Sequence, residues 1–173
     1  MPHLINRCAK ISSGCDLSVP RADAIFQQKG CLKSKGAFIM ILEKSCGAVI
    51  YTEKEGKRLY LIELMQKGHF SICKGHVEKN ESEHETAARE ILEETGLKVS
   101  FIDGFRKTVE YSPYHGCMKT VVFFLAHSEC TDVTAQQEEV KEISWLPFKD
   151  AKALLTYNTD KEILEQAEDF LNG

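Results

Sequence analysis

One segment near the middle of the chain, residues 75–97, constrains the fold more than any other. Ser82 and Glu85 have the spacing of a capping box, which predicts a helix beginning near Ser82 with its first amide groups satisfied. Gly96 is placed to end that helix in the left-handed conformation that glycine favours. A loop followed by a helix of defined length is therefore expected here.

Three glutamates lie on one face of this predicted helix. Glu90, Glu93 and Glu94 are spaced i, i+3 and i+4, so their carboxylates are neighbours and repel one another. A solvated acidic face is the ordinary alternative, but the flanking glycines and Arg89 favour a functional cluster. Clustered carboxylates are hard oxygen ligands suited to Mg²⁺ or Mn²⁺.

Two further residues of the segment fit a metal site. Gly75 has no Cβ and allows the backbone to approach a cation closely. Arg89 follows Glu81 by eight residues and could pair with it across loop and helix, which would support the loop rather than perform chemistry.

The spacing of nine residues in the segment resembles the Nudix box, G-x5-E-x7-R-E-U-x-E-E-x-G-U, where U is aliphatic. The matching residues are Gly75, Glu81, Arg89, Glu90, Ile91, Glu93, Glu94, Gly96 and Leu97. The resemblance implies a hydrolase of nucleoside diphosphates linked to another moiety, with Glu90, Glu93 and Glu94 around the metal. It also implies an α/β fold, the Nudix-type α/β/α sandwich with a mixed sheet flanked by helices.

Length and composition exclude several classes of protein. A chain of 173 residues is long enough for one domain with a proper core. Its net charge of −4 argues against a general nucleic-acid binder, and no apolar run approaches the roughly 20 residues of a membrane span. The seven cysteines include no C-x-x-C pair, so reduced thiols are expected rather than disulfides or zinc, which indicates the cytoplasm.

The chain divides at about Met40. Residues 1–39 show no sustained periodicity and are predicted to be an N-terminal extension, with residues 40–173 forming the Nudix hydrolase domain. The extension could be flexible, an added structural arm, or sequence upstream of a natural start at Met40, and the last two are favoured equally.

Periodicity predicts the elements of the domain. Residues 46–51 and 59–65 are predicted to form a hairpin around a turn at residues 53–57. Further strands are expected at residues 105–111, 120–126 and 143–146, and a helix at residues 160–171.

Outside the box, four stretches resemble the diadenosine tetraphosphate hydrolase branch, the last of them its bacterial members. They are KGHVE (74–78), DGFRKTVEY (103–111), KTVVFFLA (119–126) and LLTYNTDKEILEQA (154–167). The resemblance covers about residues 44–171. It implies that the substrate is a dinucleoside polyphosphate, cleaved asymmetrically to ATP and AMP, with Mg²⁺ or Mn²⁺ as cofactor.

The same resemblance assigns five residues outside the glutamate cluster. Tyr111 and Tyr157 would sandwich an adenine, Lys119 would contact phosphate, Lys74 would lie beside the reacting polyphosphate, and Glu139 would be a further metal ligand. The tyrosines could instead be half-buried core aromatics. Lys119 could be an edge-strand lysine, and Glu139 could belong to a solvated loop.

The predicted site therefore has three parts. The catalytic set is Glu90, Glu139 and Arg89, with Glu90 or Glu139 as general base. The metal set is Gly75, Glu90, Glu93, Glu94 and Glu139, and the substrate set is Lys74, Tyr111, Lys119 and Tyr157.

One departure from the branch and three alternatives remain. The tryptophan and proline that usually precede KGH are replaced, with Cys73 directly before Lys74, which affects substrate selectivity rather than the chemistry.

Another Nudix substrate is the nearest alternative: an RNA 5′-triphosphate end, ADP-ribose or an oxidised nucleotide. A nucleotide-sensing module without catalysis, and a structural protein, are the others.

Overall fold

A computed structural model describes residues 40–173. The predictions made for residues 1–39 lie outside the described residues. The strands are β1 (Ile41–Lys54), β2 (Lys57–Met65), β3 (Phe70–Ser71), β4 (Lys74–His76), β5 (Ser100–Tyr111), β6 (Cys117–His127) and β7 (Val140–Pro147). The helices are α1 (Glu83–Thr95), α2 (Phe148–Leu154) and α3 (Asn158–Asn172).

All of these strands join one mixed seven-stranded sheet in the order β3-β2-β1-β6-β5, with β4 also paired to β1 and β7 to β2. The parallel pair is β1 with β6, whereas the other pairs are antiparallel. β1 therefore lies at the centre, and the short strand β4 attaches directly to it. The mixed sheet and its flanking helices confirm the predicted α/β/α sandwich.

Each face of the sheet carries its own apolar core. On one face α1 packs through Ala87 and Ile91 against strand residues that include Ala48 and Val122. On the other face α2 and α3 pack against alternate residues of the same strands, such as Val49 and Val121. This alternation follows from the two-residue period of a strand, and it places α1 alone on one side of the sheet.

The limits of α1 confirm the prediction from its capping residues. The Ser82 side chain accepts from the Glu85 amide, and the Glu85 side chain accepts from the Ser82 amide. Gly96 follows the helix with φ 74°, in the left-handed region, and its amide donates to the Leu92 carbonyl. These caps fix where the glutamates of α1 stand along its axis.

The predicted strands, the hairpin and the last helix are confirmed, and three short elements were not predicted. The hairpin turns at Glu55 and Gly56, inside the expected turn. The unpredicted elements are β3, β4 and α2, which have two, three and seven residues. They are too short for periodicity to reveal.

Within residues 40–173, no helix has the length and apolar character needed to cross a membrane.

Candidate active site

The site is organised by a close approach between β4 and α1. Gly75 pairs with Cys46 across the β4–β1 ladder and lies against the carboxylate of Glu90. A Cβ on residue 75 would stand 1.9 Å from the Glu90 Cδ and 2.0 Å from its Oε1. A side chain at residue 75 would displace the Glu90 carboxylate, so glycine allows the first glutamate of the cluster to take this position.

Arg89 ties the loop, β4 and the acidic face together. Its guanidinium donates to the Glu81 carboxylate at 2.7 and 3.0 Å and to the His76 carbonyl at 2.9 Å. It also donates to Glu90 at 2.9 Å and to Glu93 at 3.0 Å. The predicted pair with Glu81 is present, and the contacts with the two acidic side chains show that Arg89 also orients the cluster.

The four glutamates assigned to metal binding share one electrostatic environment. Burial, with the charges of Glu93 and Glu139, raises the pKa of Glu90. Burial, with the charges of Glu90 and Glu139, raises the pKa of Glu94 to about 7. Glu139 is exposed on the loop before β7, yet its charge acts on both helix residues. The structure therefore brings Glu90, Glu93, Glu94 and Glu139 together.

This arrangement fits a divalent cation. A raised pKa means that the ionised carboxylate is destabilised in this environment, and a bound cation would remove that destabilisation. Carboxylate oxygens are the ligands that Mg²⁺ and Mn²⁺ prefer. Glu90, Glu93, Glu94 and Glu139 are thus suited to hold such an ion.

A second group of ligand atoms lies deeper in the site and was not predicted. Glu63 on β2, Cys73 and Glu94 are all buried, and their ligand atoms lie within 4.8 Å of one another. The Cys73 thiol donates to the Glu94 carboxylate at 2.9 Å. The sequence did contain a signal for Glu63, because it is a charged residue within the apolar run of residues 59–65.

Lys119 stands on β6, between β1 and β5, so it is not on an edge strand and that alternative is wrong. It faces Tyr111 across the β5–β6 ladder and Glu43 across the β1–β6 ladder. Its Nζ is 3.5 Å from the His76 Nε2. Burial, opposed by Glu43 and assisted by Lys74, lowers the pKa of Lys119.

Lys74 is held by its neighbours. Its Nζ donates to the Ser71 hydroxyl and, at 3.1 Å, to the Ile72 carbonyl. The Ser71 hydroxyl in turn donates to Asp160 of α3 at 3.2 Å. Since Lys74 and Gly75 are consecutive in β4, they face opposite sides of the sheet. The ammonium group of Lys74 therefore lies on the side of Ser71 and Asp160, and its charge still acts on Glu94.

Tyr111 and Tyr157 are surface residues near each other. They are 39% and 53% exposed and belong to neither apolar core, so the alternative of core aromatics is wrong. Burial, followed by the charges of Asp160 and Glu43 and by Tyr157, raises the pKa of Tyr111. The Tyr157 ring lies 5.5 Å from that of His69. Both tyrosines thus border the region of Asp160, beside Lys74.

Comparisons with known proteins identify the family. The NUDIX domain family matches residues 42–167. The asymmetrical bis(5′-nucleosyl)-tetraphosphatase of Sus scrofa is 30% identical over 140 residues, which are 74% of this chain and 95% of that protein. A solved structure of an Ap4A hydrolase binary complex from C. elegans has a TM-score of 0.70 at 28% identity, covering 76% of this chain and 98% of that chain.

Relatives with another name also occur. The NAD-capped RNA hydrolase NudC of Mannheimia succiniciproducens is 29% identical over 110 residues, 60% of this chain and 40% of that protein. The chain belongs to the NUDIX family and is a hydrolase of phosphoanhydride bonds.

Proposed function

We propose that this hydrolase cleaves dinucleoside polyphosphates, with diadenosine tetraphosphate split asymmetrically into ATP and AMP in the presence of Mg²⁺ or Mn²⁺. The observation that carries the proposal is the exposed pair Tyr111 and Tyr157 beside the lysines. The names of the Sus scrofa and C. elegans relatives support the same substrate.

The tyrosine pair supports a base-containing substrate. Two exposed aromatic rings beside cationic side chains offer stacking surfaces for a base and positive charge for its phosphates. Base–aromatic stacking contributes roughly 1–3 kcal/mol per base. An inorganic polyphosphate chain has no base and would gain nothing from these rings.

The placement of the acidic residues supports a role for them in holding the metal. A divalent cation held by Glu90, Glu93, Glu94 and Glu139 would supply positive charge for the phosphate oxygens and activate water. Arg89 holds Glu90 and Glu93 in fixed positions. Lys74 and Lys119 add positive charge beside the polyphosphate. This charge stabilises the negative charge that develops on the phosphate oxygens in the transition state.

Two carboxylates can act as general base. Glu90 is held between Gly75 and Arg89, so its position is defined, and burial raises its pKa, which makes the carboxylate a better proton acceptor. Glu139 is exposed on a loop and approaches the same cluster from β7. Separate Glu90→Gln and Glu139→Gln variants distinguish them, because loss of the base lowers kcat and removes the acidic limb of the pH–rate profile.

The thiols support a reducing location. Cys46, Cys73, Cys117 and Cys130 are free in the described part of the chain. We place the enzyme in the cytoplasm on this ground, where thiols remain reduced.

The substrate is tested by chromatography of reaction products. Diadenosine tetraphosphate, ADP-ribose, 5′-triphosphorylated RNA, NAD-capped RNA and 8-oxo-dGTP are supplied separately at equal concentration with Mg²⁺. ATP plus AMP as the dominant products supports the proposal. Faster turnover of another substrate would keep the metal chemistry and reject the adenine assignment, and binding without turnover would favour a sensing module.

The tyrosine pair is tested by Tyr111→Ala and Tyr157→Ala. Loss of one stacking face should raise KM for diadenosine tetraphosphate by about 5- to 100-fold, with a smaller change in kcat. Tyr114→Ala is the matched control, since Tyr114 is also exposed but contacts Glu43. Equal KM values for the three variants would reject the adenine clamp.

A further inference from the structure

Glu63 is an unusual residue for the middle of a buried strand. It is 1% exposed on β2, and neither of its carboxylate oxygens has a hydrogen-bond partner within residues 40–173. A buried carboxylate without a partner is destabilising. Burial, followed by the charge of Glu94, raises the pKa of Glu63 well above its usual range. The charge of Lys74 and the Cys73 side chain oppose this rise only in part.

The unpartnered carboxylate belongs to the cluster with Cys73 and Glu94. Ligand atoms within 4.8 Å of one another need to contract by only about 1 Å to surround a cation with bonds of about 2.0–2.3 Å. Cys73 is fully buried and Glu94 is 1% exposed. The three side chains come from β2, from the residue before β4, and from α1, so the fold itself holds them in place.

The donor set differs in kind from the glutamates at the mouth of the site. A thiolate is a soft ligand that favours Zn²⁺ and related ions over Mg²⁺. One thiolate and two carboxylates carry three negative charges, which a divalent cation and Lys74 would neutralise. The charge of Lys74 opposes the rise in pKa that burial causes in each of the three groups.

We propose that Glu63, Cys73 and Glu94 form a buried site for a thiophilic divalent cation of the Zn²⁺ and Co²⁺ class, in which Cys73 binds as the thiolate. Binding releases the thiol proton to solvent. Glu94 belongs to both this thiolate site and the glutamate cluster. The proposal does not depend on which nucleotide is hydrolysed.

The test is titration of the full-length protein with Co²⁺ in excess Mg²⁺. A thiolate–cobalt bond gives a charge-transfer absorption in the near ultraviolet that oxygen ligands do not give. Because other thiols could bind cobalt, the background protein carries serine in place of Cys8, Cys15, Cys31 and Cys130. We expect the absorption to saturate at one equivalent of Co²⁺, and Zn²⁺ to displace it.

The variants then locate the site. Cys73→Ser should abolish the absorption, and Glu63→Gln should weaken cobalt binding by about 10-fold or more. Cys117→Ser is the matched control, a buried thiol on β6 whose loss should leave the absorption unchanged. Circular dichroism is used to check that each variant is folded. If Cys73→Ser does not fold, Glu63→Gln still tests the site independently.

Two results would overturn the proposal. One is no absorption in the folded background protein, which would leave Glu63 and Glu94 as carboxyl groups sharing a proton. The other is an absorption that survives Cys73→Ser. Neither result bears on hydrolysis of diadenosine tetraphosphate, which is measured without Co²⁺.

Discussion

Single residues decide whether the acidic cluster can assemble, and Gly75 is the most constrained of them. The space that a side chain would need there is filled by the Glu90 carboxylate. The sequence predicted a close approach at Gly75, but as an approach to the cation. The structure shows that the glycine also makes room for a glutamate.

Gly75→Ala should therefore abolish most of the turnover. The new methyl group would overlap the Glu90 carboxylate, with 1.9 Å to its Cδ, and the carboxylate must then move from its contact with Arg89. Gly173→Ala at the C-terminus is the control. Steady-state kinetics and thermal unfolding are measured together, and a folded Gly75→Ala enzyme with normal kcat would contradict the role of this contact.

The pair Glu81–Arg89 predicts a pH dependence of stability. Hydrogen bonds from Arg89 lower the pKa of Glu81 to about 2. A carboxylate whose pKa is lower in the folded state stabilises the fold above its ordinary pKa and ceases to do so as the pH falls through the folded value. Glu81→Gln should thus have a lower Tm than the wild type above about pH 5, and the difference should shrink toward pH 2.

Thermal unfolding across that pH range checks the prediction. Glu129→Gln, an exposed residue on the loop after β6, serves as the control and should follow the wild type. A constant difference in Tm between Glu81→Gln and wild type at all pH values would show that Glu81 acts through packing instead.

Among the secondary-structure elements, those with a repeating apolar pattern or a recognisable cap were predicted from the sequence. The hairpin of β1 and β2, the capped helix α1 and the helix α3 were expected from periodicity and caps. The helix α2 was not, because seven residues are too few to show a repeating apolar pattern. The parallel pairing of β1 with β6 joins strands distant in the chain, and no local pattern encodes it.

The capping box of α1 can be tested through stability. Ser82→Ala removes the side-chain acceptor for the Glu85 amide and should lower the free energy of unfolding by about 1 kcal/mol. Ser100→Ala, at the exposed start of β5, is the control. Denaturant unfolding measures both, and equal stabilities would mean that packing of α1 alone determines where the helix begins.

In the whole molecule, the sheet separates the acidic residues from the residues proposed to bind substrate. The face covered by α1 carries the glutamates, and Lys74 points toward the other face, where α3 supplies Asp160 and Tyr157 precedes it. β4 joins the two because its successive residues face opposite sides. The Nudix box predicted the first group by spacing, whereas Glu63 and Asp160 enter the site only through tertiary contacts.

We propose that the glutamates of α1 hold the cation required for hydrolysis. The measurement is turnover of diadenosine tetraphosphate with Mg²⁺ by Glu93→Gln and Glu94→Gln, with unfolding to show that both are folded. Glu162→Gln on the exposed face of α3 is the control. We expect loss of turnover in both variants and normal turnover in the control. Normal turnover in folded Glu93→Gln and Glu94→Gln would contradict it.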